Sequence, residues 1–262
     1  MIPAETSKAD YFVGNRRYSG LIVRSTPQEP VALAVLLPDW RGQSPLAREH
    51  ADFLASLGCT VLIADLYGDG FIPDSPDQVG PLVQRLLQHR SEGVEALAAA
   101  VDRLREESSR NIPIICLGYS AGGMVALDYG RSGARISGII LCSALLKTAE
   151  AGMSTKIFPS VLVLQGTQDQ VSDVGVIADV IAERWTPRRT MCDSSFIPRP
   201  TTPLTIQKQA TTPLLVSCIL LSLLRGQSVP LQLSFQRSQH PRMAPNQRFK
   251  PTGHSLRSRP AA

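Results

Sequence analysis

A regular alternation of short apolar runs with amphipathic helical patterns is the feature that most constrains how this chain can fold. The apolar runs cover residues 31–37, 60–65, 112–117, 136–142 and 161–164. Helical patterns follow them, at residues 44–57, 79–87, 91–107, 121–129 and 174–184. Because the apolar runs are continuous, without alternating polar residues, they are typical of strands buried on both faces of a sheet. The sequence therefore predicts an α/β fold with a doubly wound, mostly parallel sheet.

The two ends of the chain fall outside this alternation. Residues 10–28 carry a polar–apolar pattern with Gly14 and Asn15 at the predicted turn, which indicates a hairpin that joins the sheet. After about residue 186 the chain is rich in Pro and Thr, and then in Arg, Gln and Ser. Such a composition buries too little apolar surface to offset its ordering entropy. We therefore expect a hairpin over residues 1–29, a core over 30–186 and a poorly ordered basic tail over 187–262.

The distribution of charge supports this division. The last acidic residue is Asp193, and residues 194–262 hold nine of the 27 Lys and Arg residues. All 22 acidic residues and the other 18 basic residues lie in the first 193 positions, which therefore carry a net charge of −4. The formal net charge of +5 for the whole chain is thus an average over two different compositions.

Composition also narrows the classes of protein to be considered. The five cysteines are widely spaced and form no CxxC pair, so neither a disulfide framework nor a zinc site is indicated, and a reducing compartment is expected. The first residues lack the pattern of a secretory signal. The longest apolar run, at residues 214–224, is too short to span a bilayer. We expect a cytoplasmic protein without a membrane span.

The strongest chemical signal is the sequence Gly-Tyr-Ser-Ala-Gly at residues 118–122. It follows a predicted buried strand and precedes a predicted helix, which is the context of a nucleophile elbow. Such a sharp turn exposes the hydroxyl of Ser120 and leaves no room for side chains at Gly118 and Gly122. Close packing of small residues between a strand and a helix is the alternative explanation. The context on both sides favours Ser120 as a nucleophile.

Two further groups are expected around this serine. An oxyanion hole needs the backbone N–H of Ala121 and a second N–H from the loop after an early strand, where Trp40 is correctly placed. An acid should follow a later strand, and Asp169 lies just after the run 161–164. Asp173 is the rival candidate, although its position suits the N-cap of the next helix.

A catalytic base is harder to find. In this chain order the histidine must follow Asp169. His50 and His89 precede Ser120 and are interpreted as helix-surface residues. Only His240 and His254 remain, and both lie in the basic tail without a predicted strand before them or a helix after them. For each of them, a solvated tail histidine is the simpler interpretation.

Four segments together resemble the dienelactone hydrolase family. They are residues 31–42, Ala-Asp-Leu-Tyr-Gly at 64–68, Gly-Tyr-Ser-Ala-Gly-Gly at 118–123 and Gly-Thr-Gln-Asp at 166–169. The resemblance covers roughly residues 30–185, and its Asp-Leu-Tyr-Gly element is more discriminating than the elbow alone. It implies an α/β-hydrolase fold and cleavage of a lactone or ester by a nucleophile–His–Asp triad, without a metal or an organic cofactor.

The resemblance carries the nucleophile over to Ser120, the acid to Asp169 and the oxyanion donors to Trp40 and Ala121. Two departures accompany it. The family typically has cysteine at the nucleophile position, so serine here suggests a general esterase-like relative. The closing Gly-x-x-His element of the family is also missing, since residues 195–210 contain no histidine.

Three anomalies begin at one place: the loss of acidic residues, the compositional bias and the missing histidine. We interpret them as replacement of the C-terminal part by a frameshift or fusion near residues 185–193, with a divergent natural tail as the alternative. The primary expectation is a serine ester or lactone hydrolase acting on a small molecule. The alternative is a truncated or frameshifted hydrolase with little activity.

A third hypothesis, binding of the basic tail to nucleic acid or to an acidic membrane surface, has less support. The only aromatic residues of the tail are Phe196, Phe235 and Phe249, and its basic residues form no dense cluster. We therefore expect no specific nucleic-acid partner.

Overall fold

Eight strands and four helices form the part of the chain that the computed structural model describes, namely residues 5–24, 29–147, 149, 157–166, 176 and 180 and the backbone of 192–197. The strands are β1 (Glu5–Val13), β2 (Arg16–Arg24), β3 (Ala32–Leu37), β4 (Cys59–Ile63), β5 (Ile114–Tyr119), β6 (Gly138–Cys142), β7 (Ser160–Gly166) and β8 (Cys192–Ile197). The helices are α1 (Pro45–Ser56), α2 (Pro76–Gln88), α3 (Arg90–Arg105) and α4 (Ser120–Arg131).

The strands form one sheet in the order β1-β2-β4-β3-β5-β6-β7-β8. The pairs β1–β2 and β2–β4 are antiparallel, and the remaining pairs are parallel. The chain passes from β3 to β4 on one side and then crosses to β5 on the other side of β3. The carboxyl ends of β3 and β5 therefore meet where the winding reverses, which is where open α/β sheets place their ligand sites.

Helices cover both faces of the sheet. On one face, α1 packs its apolar stripe of Ala47, Ala51 and Leu54 against alternate residues of β3 and β4. On the other face, α3 and α4 bury Leu97, Val101 and Val125 against the intervening residues. Side chains of the central strands are buried on both sides, as the continuous apolar runs predict. The doubly wound, mostly parallel sheet is confirmed.

Local signals agree with the observed boundaries. The N-terminal hairpin pairs Val13 with Arg16 across a turn at Gly14, whose φ of 56° lies in the left-handed region that glycine tolerates. Helix α1 begins after Ser44, whose hydroxyl oxygen accepts the backbone N–H of Ala47 at 3.3 Å as an N-cap. The hairpin and this helix are therefore confirmed.

The sheet extends further along the chain than the sequence predicts. Strand β8 pairs in parallel with β7, with Val161 opposite Cys192 in register, and so lies beyond the predicted core boundary at residue 186. Residues 192–197, at the start of the predicted tail, therefore form a strand of the sheet. Of the helix predicted at 174–184, only Val176 and Val180 are described, and both are helical.

The helices described include no candidate membrane span. None of the helices at residues 45–131 combines the length and the apolar character that crossing a bilayer requires.

Candidate functional site

The backbone at Ser120 has the geometry of a nucleophile elbow. Ser120 directly follows β5 and begins α4 with a φ of 48°, a left-handed conformation that costs free energy for a non-glycine residue. A Cβ placed on Gly118 would lie 2.6 Å from the Cα of Gly123, and a Cβ on Gly122 would lie 2.5 Å from the carbonyl oxygen of Pro38. Both glycines are therefore required by close backbone contact, as the Gly-x-Ser-x-Gly pattern predicts.

The segment after β6 holds the strained serine from both sides. The backbone N–H of Ser120 donates to the carbonyl oxygen of Ser143 at 3.2 Å, and the N–H of Leu145 donates to the carbonyl oxygen of Ser120 at 2.8 Å. Ser143 is buried and also has a left-handed φ, of 43°. The backbone N–H of Ser143 donates to the carbonyl oxygen of Leu164, near the end of β7. These two hydrogen bonds to the segment after β6 thus fix the unusual backbone conformation of Ser120.

The loop after β3 lies against the elbow. Gly122 lies close to the carbonyl oxygen of Pro38, so this loop lies beside the first turn of α4. The loop carries Trp40, and the first turn of the helix carries Ala121. Both predicted oxyanion donors therefore belong to segments that meet at the carboxyl ends of β3 and β5. The positive end of the α4 dipole adds to the attraction for a developing negative charge there.

An ion pair shapes the loop that carries Trp40. The carboxylate of Asp39 is buried and accepts a hydrogen bond from the backbone N–H of Arg41 at 2.9 Å. It also accepts hydrogen bonds from the guanidinium group of Arg41. The guanidinium in turn lies 5.6 Å from the ring centroid of Trp40. The hydroxyl of Tyr67 donates to the Trp40 carbonyl oxygen at 2.9 Å. The orientation of Trp40 thus depends on its neighbours in sequence and on the loop after β4.

The Asp-Leu-Tyr-Gly element forms that second loop around a buried carboxylate. One oxygen of Asp65 accepts the backbone N–H groups of Tyr67 and Gly68, each at 2.9 Å. The other accepts the N–H of Ser19 on β2 at 3.0 Å and that of Gly70 at 2.7 Å. Four donors converge on one side chain, so Asp65 fixes the loop rather than taking part in chemistry. This explains the element that distinguishes the family resemblance.

His50 is buried, which corrects its interpretation as a helix-surface residue. Its ring centroid lies 5.0 Å from that of Tyr119, the residue before Ser120. Both residues line a small cavity together with Asp39. Burial lowers the pKa of His50 to about 4, the nearby Glu49 and Asp39 oppose that change, and Arg41 adds to it. The imidazole is therefore neutral at pH 7.

The other predicted site residues have different outcomes. Asp169 and its rival Asp173 lie outside the described residues, as do His240 and His254. His89 lies between α2 and α3 with more than half of its side chain exposed, in agreement with a surface position. Among the residues described, no group of His, Cys, Asp and Glu could hold a metal ion.

Three residues of the site region were missed in the sequence: Asp39, Tyr67 and Ser143. Asp39 directly precedes Trp40, so the sequence places it in this loop. Nothing in the sequence of the loop indicates its ion pair with Arg41. Tyr67 belongs to the Asp-Leu-Tyr-Gly element, yet its hydrogen bond joins residues 27 positions apart in the chain. No local pattern marks Ser143, because its role comes from the register between β5 and β6.

Comparisons with known proteins agree with this architecture. The profile of the dienelactone hydrolase family matches residues 19–186. The structure named m3DLH has 28% identity and a TM-score of 0.68, over 74% of this chain and 81% of that one. A dienelactone hydrolase-like promiscuous phosphotriesterase from metagenomic libraries has 24% identity and a TM-score of 0.74, over 85% and 99%.

A cold-adapted esterase from an Arctic intertidal metagenomic library shares the fold at 15% identity, with a TM-score of 0.60 over 79% of this chain and 91% of that one. No curated protein matches the sequence. The predicted α/β-hydrolase fold is confirmed. Since the family profile covers more than half of its length, the chain belongs to the dienelactone hydrolase family.

Proposed function

We propose that this hydrolase-family protein cleaves carboxylic esters or lactones, with Ser120 as the nucleophile and an acyl-enzyme as the intermediate. The observation that carries the proposal is the left-handed backbone of Ser120 at the junction of β5 and α4. Strain of this kind persists only where the surroundings impose it. Here the two flanking glycines and the hydrogen bonds to Ser143 and Leu145 impose it.

The proposed reaction begins with attack of the Ser120 hydroxyl oxygen on the ester carbonyl carbon, while its proton passes to a histidine. The tetrahedral oxyanion accepts hydrogen bonds from the backbone N–H groups of Trp40 and Ala121. Its collapse expels the alcohol, which takes the proton from the histidine. Water then attacks the acyl-enzyme by the same route and releases the acid. In this scheme Asp169 accepts the other imidazole N–H and orients the ring.

The scheme needs a histidine after Asp169 as its base, and the sequence offers only His240 and His254 there, both of which are expected to be solvated tail residues. The lack of any histidine at residues 195–210 supports a second candidate, a family member with an assembled elbow and little hydrolytic activity. Loss of the base lowers the rate by several orders of magnitude, while the oxyanion hole and substrate binding leave a residual rate. Measured rates therefore separate the two candidates.

We further propose that the catalytic unit combines the N-terminal hairpin with the core predicted at residues 30–186. The pairing of β8 with β7 supports extending this unit to Ile197. Its substrate is a small molecule, and the scheme requires no cofactor.

A cytoplasmic location is part of the proposal. It is supported by the reduced thiols of Cys59, Cys116 and Cys142, which are buried in β4, β5 and β6.

A fluorophosphonate probe tests the nucleophile directly. The purified protein should be labelled at Ser120, and the Ser120→Ala variant should lose the label. Ser132→Ala is the matched control, because Ser132 is an exposed serine at the other end of α4 whose hydroxyl only donates to the Tyr129 carbonyl oxygen. Equal labelling of the Ser120→Ala variant and the wild type would refute the proposed nucleophile.

Hydrolysis of p-nitrophenyl acetate by His240→Ala and His254→Ala then identifies the base. If one of these residues is the base, its removal should lower kcat by about a thousandfold or more, and the other variant should keep the wild-type rate. A slow wild-type rate that neither substitution changes would favour the candidate with little activity.

A further inference from the structure

A cleft separate from the nucleophile opens between the N-terminal hairpin, α2, α3 and the loop after β4. It contains about 610 Å³ of empty space, part of which is open solvent. Neither Ser120 nor the proposed oxyanion residues Trp40 and Ala121 line it. We refer to it as the hairpin cleft. It is therefore a second concave site on the same domain.

The floor of the hairpin cleft is apolar. Leu82 and Leu86 of α2 face Leu97 of α3 and Val125 of α4 across it. Of the residues of α2, only Leu86 is buried, so most of this helix lies at the surface above the cleft. An occupant of this floor must therefore present a hydrocarbon or aromatic body.

Two guanidinium groups lie at the mouth of the hairpin cleft. The guanidinium groups of Arg16 and Arg85 both approach one carboxylate oxygen of Glu92, at 3.2 Å and 3.3 Å. His89 approaches the other oxygen at 3.9 Å. Two guanidinium groups thus share the carboxylate of Glu92, while the carboxylate of Asp65, which also lines the cleft, already accepts four backbone N–H groups. Both guanidinium groups are partly exposed, so a dissolved anion can reach them.

Arg85 has donors to spare for such an anion. A guanidinium carries five N–H groups, and among the described residues Arg85 uses its Nη2 for Glu92. Arg16 is more committed, since its Nη1 contacts Glu92 and its Nη2 donates to the Tyr67 carbonyl oxygen at 2.7 Å. A carboxylate is the anion that fits a planar guanidinium in a bidentate manner.

We propose that the hairpin cleft binds a small amphipathic carboxylate, with its apolar body on the leucine floor and its carboxylate on Arg85 at the mouth. Tyr67 connects this cleft to the oxyanion loop, because its carbonyl accepts from Arg16 and its hydroxyl donates to the Trp40 carbonyl oxygen. An occupant that displaces Arg16 therefore acts on the segment that carries Trp40. The binding itself does not depend on the proposed hydrolysis.

Calorimetric titration of the full chain with hexanoate tests the proposal, and 1-hexanol serves as the neutral probe of the same length. The Ser120→Ala variant is titrated in parallel, so that the result is independent of turnover. We expect hexanoate to bind both proteins with one site, and 1-hexanol to bind at least tenfold more weakly because it lacks the charge-assisted hydrogen bonds.

Variants locate the bound hexanoate. Arg85→Gln should weaken binding by about tenfold or more, since it removes the proposed carboxylate partner. Arg105→Gln is the matched control at the far end of α3, where Arg105 pairs with Asp102, and it should bind as the wild type does. No measurable hexanoate binding, or equal affinities in the Arg85→Gln and Arg105→Gln variants, would overturn the proposal. Either result would leave labelling of Ser120 unaffected, so the two proposals fail independently.

Discussion

The buried imidazole of His50 should make the stability of this protein depend on pH in a defined window. In the folded state burial lowers its pKa to about 4, against about 6.5 in an unfolded chain. Between these values the unfolded chain binds a proton that the folded chain excludes. Stability therefore falls as the pH decreases from 6.5 to 4, and His50 causes no loss above that window.

The magnitude follows from the two pKa values. Linkage gives a loss of about 2 kcal/mol at pH 5 and about 3 kcal/mol at pH 4, relative to pH 7. This is a large part of the roughly 5–15 kcal/mol that stabilises a typical domain. The His50→Gln variant, whose amide does not titrate, should lack this contribution while retaining every other titrating group.

Urea unfolding at pH 7, 6 and 5, followed by circular dichroism, measures the difference. From pH 7 to pH 5 the wild type should lose about 2 kcal/mol more than the His50→Gln variant. His89→Gln is the matched control, because its side chain is more than half exposed, and it should follow the wild type. Parallel curves for the wild type and the His50→Gln variant would refute the argument from burial.

Three further substitutions test the site region. Gly122→Ala should destabilise the fold by about 3 kcal/mol or more, because its Cβ would lie 2.5 Å from the Pro38 carbonyl oxygen, and a wild-type urea midpoint would contradict this. Gly80→Ala, in an exposed and open position of α2, should change stability by less than about 0.5 kcal/mol in the same assay, because the gain in helix propensity is opposed by the clash of the new Cβ with the ring of Pro81. Tyr67→Phe removes the hydrogen bond to the Trp40 carbonyl oxygen. This variant should lower kcat for an aryl ester about fivefold and leave the urea midpoint unchanged. An unchanged kcat would argue against a role for this contact.

The sequence predicted the features that arise from local patterns. Continuous apolar runs gave the central strands, because a strand buried on both faces needs apolar residues at every position. The elbow was predictable since its glycines are required by contacts within the turn and with the neighbouring loop.

Features that depend on distant parts of the chain were not predicted. His50 lies on the same apolar stripe of α1 as Ala47 and Leu54. This spacing indicates burial, although a polar side chain such as histidine suggests the surface. Strand β8 has the sequence Cys-Asp-Ser-Ser-Phe-Ile, which lacks an apolar run, and is defined by its pairing with β7. The donors around Asp65 come from β2 as well as from its own loop, so no local pattern reveals them.

The hydrogen bonds between Ser120 and the segment after β6 make the backbone of this proposed nucleophile depend on the integrity of the sheet. If β6 separates slightly from β5, both bonds to Ser143 and Leu145 are lost, and the serine is free to relax to an unstrained backbone. Such a local opening leaves the helices intact and requires much less free energy than global unfolding. On gentle heating, reactivity at Ser120 should therefore disappear before the helical signal does, so that activity reports the first loosening of the domain.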